Sequence, residues 1–228
     1  MITHTAIERT STAQRPARPV FPSVATEALH SPIELMGAPM PYGRDTEIYG
    51  ENEQAEYLYK VVSGTVRTYK VLNDGRRQIG AFYLPGDVFG LEIGDEHTFS
   101  AEAIVDSKVL VIKRSSVVAL AARDTEVARQ LWAMTAAELH RAQNHIMLLV
   151  KSAQERVASF LLEWAKRSAG ATEIDLPMSR QDIGDYLGLT IETVSRMLTQ
   201  LEKGAAIAVP TSRRIVLRNH AALSRLNA

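Results

Sequence analysis

Short hydrophobic runs separated by polar turn signals fill the chain from residue 42 to residue 113. The runs YLYKVVSG, TVRTYKVL, RRQIGAFYLPGD, TFSAEAI and KVLVIKR are rich in Val, Ile, Tyr, Phe and Thr, as antiparallel strands are. Asp74 and Gly75 between two runs suit a tight hairpin turn that needs positive φ, and further glycines punctuate the others. This pattern predicts a two-layer or closed β domain of sandwich or jelly-roll type.

A helical pattern follows, and no Pro or Gly interrupts residues 124–168. Apolar positions there alternate at spacings of 3 and 4, which is the a/d pattern of a two-stranded coiled coil. We predict one or two long helices whose stripe forms a homodimer interface; alternatively, the stripe packs on the β domain of its own chain. Met134, Met147, Leu148 and Val150 lie off the stripe and would cover the β domain, which favours the dimer. The stripe consists of Trp132, Thr135, Leu139, Ala142, Ile146, Leu149 and Ala153.

The stretch SRQDIGDYLGLTIETVSRMLTQLEK, from Ser179 onward, carries the signals of two short helices joined by a tight turn. Ser179 and Asp182 have the spacing of a capping box, and Gly184 permits close helix contact. A Gly-Leu pair supplies the turn before Thr190, which caps the second helix. This is the spacing of a helix-turn-helix.

The second of these helices has one apolar and one polar face. The residues that face the core are Val194, Met197, Leu198 and Leu201. The residues on the opposite face, which we expect to enter a DNA major groove, are Glu192, Ser195, Arg196 and Thr199.

The residue types on the polar face suit direct contacts with base edges. Arg196 can donate two hydrogen bonds to O6 and N7 of guanine, and Glu192 can accept one from the amino group of cytosine; each such contact discriminates by about 1–3 kcal/mol. Ser195 is small enough to let the helix approach. Alternatively, Glu192 and Arg196 form an ordinary surface ion pair of about 0.2–0.5 kcal/mol. The two interpretations are compatible, because an ion pair can hold the arginine ready for guanine.

Phosphate contacts are predicted around this helix pair, since helix N-termini bind anions. After Gly204, two short β runs flank residues 210–213, and a capped helix starts at Asn219. A β-hairpin after a recognition helix is a wing, whose loop arginines either contact phosphate or are simply solvated. The predicted phosphate contacts are Ser179, Arg180, Gln181, Thr190, Thr199 and Arg213.

With these motifs in place, residues 40–226 resemble the CRP/FNR family of bacterial transcription regulators. Glu192, Ser195 and Arg196 match the Glu-x-x-Ser-Arg motif of FNR-like members, which implies a TTGA-type palindromic operator. Ile191, where cyclic-AMP-type members carry a basic residue, is a further candidate base contact. The resemblance implies a homodimeric activator that binds double-stranded DNA and RNA polymerase. The branch of the family that this resemblance suggests controls microaerobic, nitrogen-fixation and denitrification genes in rhizobia.

The β domain departs from the effector-binding members of that family. Cyclic-AMP binders resemble one another in a Gly-Glu-Leu followed by an Arg-Ser pair, whereas here Glu92 is displaced by one position and Thr98, Phe99 and Ser100 replace the pair. Without that cation a cyclic phosphate lacks its principal partner. The chain has no Cys, so we also expect no iron–sulfur switch. We predict a regulator that needs no small-molecule effector.

No metal site or other cofactor is predicted. The six histidines show no H-x-H or i,i+4 pairing; they are His4, His30, His97, His140, His145 and His220. The resulting fold class is α+β: an N-terminal β-roll (double-stranded β-helix or jelly roll), a long dimerisation helix and a C-terminal winged helix-turn-helix. The predicted boundaries are 1–28 for a flexible arm, 29–123 for the β-roll, 124–152 for the dimerisation helix and 153–228 for the winged domain.

Charge and composition agree with this organisation. The 228 residues carry 26 basic and 26 acidic side chains, but residues 151–228 carry 11 basic against 8 acidic ones. The basic excess falls on the part with the two short helices. No apolar run approaches the ~20 residues that span a bilayer and no secretory signal is present, so we expect a cytoplasmic protein without a membrane partner.

Two further expectations concern regulation and function class. Ser179 caps the first DNA-facing helix, so a bulky or anionic group on its hydroxyl would clash with phosphate and weaken binding. The competing interpretation of the whole chain is a cyclic-nucleotide or other small-ligand-dependent regulator, or a β-roll enzyme. We favour a protein that is not an enzyme, because nucleophile constellations and a phosphate cradle are missing from the sequence.

Overall fold

A computed structural model describes residues 32–168, 170 and 172–226 of the chain. The predicted arm of residues 1–28, together with His4 and His30, lies outside the described residues. The fold class is the predicted one, with a β-roll followed by long helices and a winged helix-turn-helix.

The β-roll consists of two antiparallel sheets within residues 32–113. A short helix α1 (Pro32–Leu35) precedes the sheets. Their strands are β1 (Ala38–Tyr42), β2 (Thr46–Tyr49), β3 (Tyr57–Ser63), β4 (Val66–Val71), β5 (Arg77–Tyr83), β6 (Val88–Phe89), β7 (Ser100–Ala103) and β8 (Ser107–Lys113). In one sheet the order is β1-β8-β3-β6, and in the other it is β2-β7-β4-β5. Tyr59 and Val109 from the first sheet pack against Tyr83 and Ala101 from the second, which makes a shared core.

The hairpin between β4 and β5 has the predicted turn chemistry. Gly75 adopts φ of 82°, a backbone conformation that favours glycine. The Asp74 carboxylate accepts hydrogen bonds from the backbone amide and the Nε of Arg76. The turn therefore holds the pairing register in which Val71 lies opposite Arg77.

Three helices follow the roll: α2 (Arg114–Ala121), α3 (Thr125–Leu149) and α4 (Ala153–Arg167). The Asp124 side chain caps α3, and Ser152 caps α4 in a capping box with Glu155. Of the one or two long helices predicted, the structure has two, because the chain leaves the helix after Leu149. The Ser152 hydroxyl accepts from the Glu155 amide and starts α4, so Ala153, the last residue of the predicted stripe, lies on a different helix from the others.

The winged domain surrounds the apolar face of α4. Its elements are β9 (Glu173–Asp175), α5 (Arg180–Leu187), α6 (Ile191–Lys203), β10 (Ile207–Ala208), β11 (Arg214–Leu217) and α7 (His220–Leu226). Strand β11 pairs with both β10 and β9, which forms the predicted wing. The Asn219 side-chain Oδ1 accepts from the Ala222 amide and caps α7. Among the helices described, none combines the length and apolarity that a membrane crossing needs.

Candidate nucleic-acid interface

Helix α5 begins with the predicted capping box. The Ser179 hydroxyl accepts from the Asp182 amide at 3.0 Å, and the Asp182 carboxylate accepts from the Ser179 amide at 2.9 Å. Gly184 faces the turn so closely that an added Cβ would lie 2.6 Å from the Leu189 carbonyl oxygen. The turn itself starts at Gly188, whose φ of 63° ends α5. These features fix the angle between α5 and α6.

Helix α6 is amphipathic in the predicted sense. The Thr190 hydroxyl accepts from the Thr193 amide at 3.2 Å and caps its start. Its four predicted core residues are all buried: Val194, Met197, Leu198 and Leu201. Because this face is held in the core of the domain, the opposite face is turned to solvent as a rigid surface.

The candidate base-reading side chains differ in their exposure. Ile191, Glu192 and Arg196 are exposed, whereas Ser195 is half-buried. The Ser195 hydroxyl accepts a hydrogen bond from Arg180 Nη1 at 3.2 Å, a contact between α6 and α5 that spacing alone does not reveal. Ser195 therefore also joins the two helices of the motif.

No ion pair joins Glu192 to Arg196 in the described part of the chain. A hydrogen bond from its own backbone amide and another from the Thr190 side chain lower the pKa of Glu192 below its ordinary value. The carboxylate is thus ionised and held near the start of the helix. The Arg196 guanidinium projects from the next turn of the same face.

The candidate phosphate contacts surround this face. Ser179 and Gln181 are exposed at the start of α5, and Gln181 donates to Asp185 Oδ1 at 2.6 Å. The Thr199 hydroxyl donates to the Ser195 carbonyl oxygen at 3.0 Å. Arg213, before β11, donates from Nη1 to the Pro177 carbonyl oxygen at 2.9 Å. That bond places the wing arginine beside the start of α5.

The predicted dimer stripe is exposed along most of α3. The exposed fractions of Trp132, Leu139 and Ile146 are 76%, 59% and 63%, and Thr135 and Ala142 are exposed between them. Leu149 and Ala153 are instead half-buried, and Ala153 packs on the core of the winged domain.

The side chains expected to cover the β domain behave in two ways. Met134 packs on a roll cluster that includes Leu58, as expected, whereas Leu148 is buried in the cluster that forms the core of the winged domain. Met147 and Val150 are 62% and 74% exposed, so the expectation is wrong for these two. Met147 lies in the last turn of α3 and Val150 is its C-cap.

A cavity of about 340 Å³ lies between the roll and α3. Thr98 and Phe99 stand in its wall, where the family resemblance places a cationic pair. The Glu92 carboxylate accepts from the Thr98 hydroxyl at 3.2 Å. Arg141, also in the wall, donates to Asp87 at 3.0 Å and lies 3.3 Å from a Glu138 carboxylate oxygen. The positive charge in this wall is therefore already neutralised by neighbouring carboxylates.

The contact of α5 with the β-roll was not predicted from the sequence. Arg67 on β4 and Arg77 on β5 bind the Asp182 carboxylate of α5. Because Arg67 and Asp182 are 115 positions apart, no local pattern signals the pairing. The only sequence signal of this contact was the presence of two arginines in a pair of predicted strands.

Comparison with known proteins agrees with this architecture. Residues 155–226 match the model of a Crp-like helix-turn-helix domain, and residues 39–124 match that of a cyclic nucleotide-binding domain. The nitrogen fixation regulation protein FixK of Azorhizobium caulinodans is 52% identical over 202 residues, which covers 86% of this chain and 82% of that protein. The chain belongs to the CRP/FNR family.

Other CRP/FNR members extend the comparison. The solved structure of FixK2 from Bradyrhizobium japonicum is similar with a TM-score of 0.81 and 57% identity, and covers 84% of this chain and 98% of that one. The fumarate and nitrate reduction regulatory protein of Vibrio cholerae is 34% identical over 193 residues, which covers 82% of this chain and 77% of that protein. This CRP/FNR chain is a FixK-like transcription regulator with a helix-turn-helix DNA-binding domain.

Proposed function

We propose that the protein binds a TTGA-type palindrome as a homodimer and reads each half-site with α6. The observation that carries this proposal is the exposed polar face of α6, backed by a fully buried apolar face. Arg196 binds guanine through two donors and Glu192 accepts from cytosine, while Ser195 and Ile191 lie against neighbouring base edges. A half-buried Ser195 suits this role, because a small side chain lets the helix enter deeply.

Phosphate contacts flank the reading face in this proposal. The start of α5 supplies amide groups and the partial positive charge of a helix N-terminus. The wing adds Arg213 on the same side. These groups position the protein without reading sequence. The proposed phosphate contacts are Ser179, Arg180, Gln181, Thr190, Thr199 and Arg213.

The exposed stripe of α3 supports the homodimer. Trp132, Leu139 and Ile146 expose large apolar surfaces that a second copy would bury in a coiled coil. A twofold axis along α3 would present two recognition helices to successive major grooves, about 34 Å apart. Leu149 and Ala153 form the edge of this proposed interface, since both are already half-buried within the chain.

The proposal includes DNA binding without a small-molecule effector. The cavity between roll and α3 presents Glu92 and Glu138 and a guanidinium that is already paired, which disfavours a cyclic phosphate. Activity is then set by abundance, degradation or modification. Ser179 is the position where an added anionic group would weaken DNA binding, because its hydroxyl caps α5 at the DNA-facing surface.

The names of relatives support the biological role. FixK proteins are nitrogen fixation regulation proteins, and a Rhodopseudomonas palustris relative that is 39% identical over 185 residues, covering 79% of this chain and 77% of that protein, is a transcriptional activatory protein. We infer activation of microaerobic, nitrogen-fixation or denitrification genes through contact with RNA polymerase.

Equilibrium binding to labelled duplexes tests the proposal. The first duplex carries a TTGA palindrome, and the second has the same composition with both half-sites scrambled. We expect the palindrome to bind more tightly by ~10³ or more at physiological salt, with no change when cyclic AMP is added. Equal affinity for both duplexes would contradict the proposal. Binding that requires cyclic AMP would instead favour a ligand-dependent regulator.

A further inference from the structure

The DNA-binding motif is docked on the β-roll through both apolar and ionic contacts. Phe82 of β5 packs against Tyr186 of α5, with ring centroids 5.3 Å apart. His145 of α3 stacks on the same Tyr186 ring, with ring centroids 4.2 Å apart. Apolar contacts of this kind hold surfaces together but are not directional. They leave open what fixes the rotation of α5 on the roll.

Directional contacts come from a cluster of charges beside this apolar patch. Arg67 Nη1 donates to Asp182 Oδ1 at 2.7 Å, and Arg67 Nη2 donates to Glu102 Oε2 at 3.0 Å. Arg77 donates from Nε to Asp185 Oδ2 at 2.8 Å and from Nη2 to Asp182 Oδ1. Each guanidinium thus binds two carboxylates, and three of the four bonds cross from the roll to α5.

These groups are largely shielded from water. The side chains of Arg67, Glu102, Asp182 and Asp185 are at most 14% exposed, and that of Arg77 is 25% exposed. Within the cluster, two guanidinium groups face three carboxylates. Loss of Arg77 therefore leaves the poorly solvated Asp185 carboxylate of α5 without its counter-charge, and loss of Arg67 removes one of the two counter-charges of Asp182. In either case we expect α5 to be held less firmly against the roll.

A movement of α5 is transmitted to the recognition helix. The close approach of Gly184 to Leu189 fixes α6 on α5, and Arg180 bridges the two through Ser195. Asp182 is also the capping carboxylate of α5, so the same side chain that starts the motif anchors it to the roll. The two helices should rotate as one body.

We propose that Arg67 and Arg77 of the β-roll are positioning residues that orient the recognition helix and thereby set the half-site spacing that the dimer accepts. This inference rests on the proposed function, because half-site spacing has meaning only for a dimer that reads a palindrome. It assigns to the roll a role in operator selection that needs no bound ligand. Arg67 and Arg77 touch neither base nor phosphate in this role.

A spacing series tests the inference. Duplexes in which the two TTGA half-site centres lie about 8 to 12 base pairs apart are titrated with wild-type protein and with Arg77→Gln; about 10 is the spacing of one helical turn. We expect Arg77→Gln to lower the preference for the best spacing over its neighbours by about tenfold. Asp185→Asn, which weakens one crossing bond but leaves Arg77 paired with Asp182, should lower the preference in the same direction and by less, and it guards against a folding defect in one variant.

Arg76→Gln is the matched control on the same hairpin. The Arg76 side chain is 77% exposed and pairs only with Asp74 of its own turn, among the contacts described. This variant should keep the wild-type spacing preference. An unchanged preference in Arg77→Gln and Asp185→Asn, or an equal loss in Arg76→Gln, would overturn the inference.

A distance measurement without DNA separates this inference from the proposed function. The chain has no Cys, so Lys108→Cys on the roll and Lys203→Cys on α6 accept spin labels at defined positions. Labelled protein is diluted with unlabelled chain so that distances within one chain dominate. We expect one narrow distance in the parent and a broadened or shifted one with Arg77→Gln. Identical distributions would overturn the inference even where DNA binding is specific. A change in distance without palindrome binding would contradict the proposed function and with it the role in half-site spacing, and would leave only the orientation of α6 by the roll.

Discussion

At the scale of single residues, the proposed function gives Arg196 and Arg213 two kinds of DNA contact on one surface. Arg196 extends from the exposed face of α6, where base edges lie in a major-groove complex. Arg213 is tied to the Pro177 carbonyl oxygen beside the wing. The first should determine sequence preference, and the second should add affinity for any duplex.

Arg213→Ala should therefore weaken binding to the palindrome and to scrambled DNA by the same factor. Loss of one phosphate contact should also reduce the slope of log K against log salt by about 1. Titrations at several salt concentrations measure both effects. Arg123→Ala, which removes an exposed arginine before α3, is the control and should leave the slope unchanged. A loss confined to the palindrome would contradict a phosphate role.

Asp182 should make stability depend on pH. Burial would raise the pKa of this carboxyl, but hydrogen bonds from Ser179 and the charges of Arg67 and Arg77 outweigh burial and lower the pKa below 3.8. A lowered pKa in the folded protein stabilises it fully above the unfolded value, and this contribution is lost as the pH falls through the folded pKa. Glu102 faces Arg67 and Asp185 faces Arg77 in the same cluster.

Asp182→Asn should accordingly lower the free energy of unfolding by about 3 kcal/mol near pH 6, because both arginines lose their shared carboxylate. The difference from wild type should shrink as the pH falls below 3.8. Denaturant unfolding between pH 6 and pH 3 measures it. Glu47→Gln, at an exposed carboxylate, is the control. A difference that stays constant down to pH 3 would contradict the role given to the charged form.

At the scale of elements, the helix pair was predictable because its signals are local. The Ser179 capping box, the Thr190 cap and the buried positions of α6 lie within a few residues of one another. The end of α3 was not predictable from periodicity. A 3-4 spacing continues formally to Ala153, yet Ser152 starts a new helix that packs into another core.

Gly184→Ala should destabilise the winged domain. Helix propensity favours Ala by about 1 kcal/mol, but the new Cβ would lie 2.6 Å from a backbone oxygen that cannot move freely, and overpacking costs about 1–3 kcal/mol. Gly204→Ala is the control, since its Cβ would lie 3.4 Å from the nearest atom. Thermal unfolding should show a lower Tm only for Gly184→Ala. An equal or higher Tm would contradict the close approach of α5 and the turn.

The exposed stripe of α3 predicts the response of the dimer to charge. Ile146→Glu should shift the protein to monomers at micromolar concentration, because two carboxylates would face each other in the apolar seam. Sedimentation equilibrium measures the shift. Asn144→Glu, two residues earlier and on another face of the helix, should leave the mass unchanged. A stable dimer of Ile146→Glu would place the interface elsewhere.

At the scale of the whole molecule, the order of domains follows from the sequence, whereas their docking does not. The run of strands, the long helix and the capped helix pair are each indicated by residues within a short window of the sequence. Arg67 and Asp182 lie in different domains, and only the folded chain brings their charges together. In the sequence, Phe82 and Tyr186 likewise look like ordinary core positions, and only the folded chain shows that they pack against each other between the two domains.

The central claim, that α6 reads bases through Arg196, is tested most directly by a double-mutant cycle with DNA. Wild-type protein and Arg196→Ala are titrated with the TTGA palindrome and with a palindrome in which the G·C pair of each half-site is replaced. We predict that Arg196→Ala costs about 1–3 kcal/mol per half-site on the native palindrome and little on the replaced one. Equal losses on both duplexes would contradict the claim.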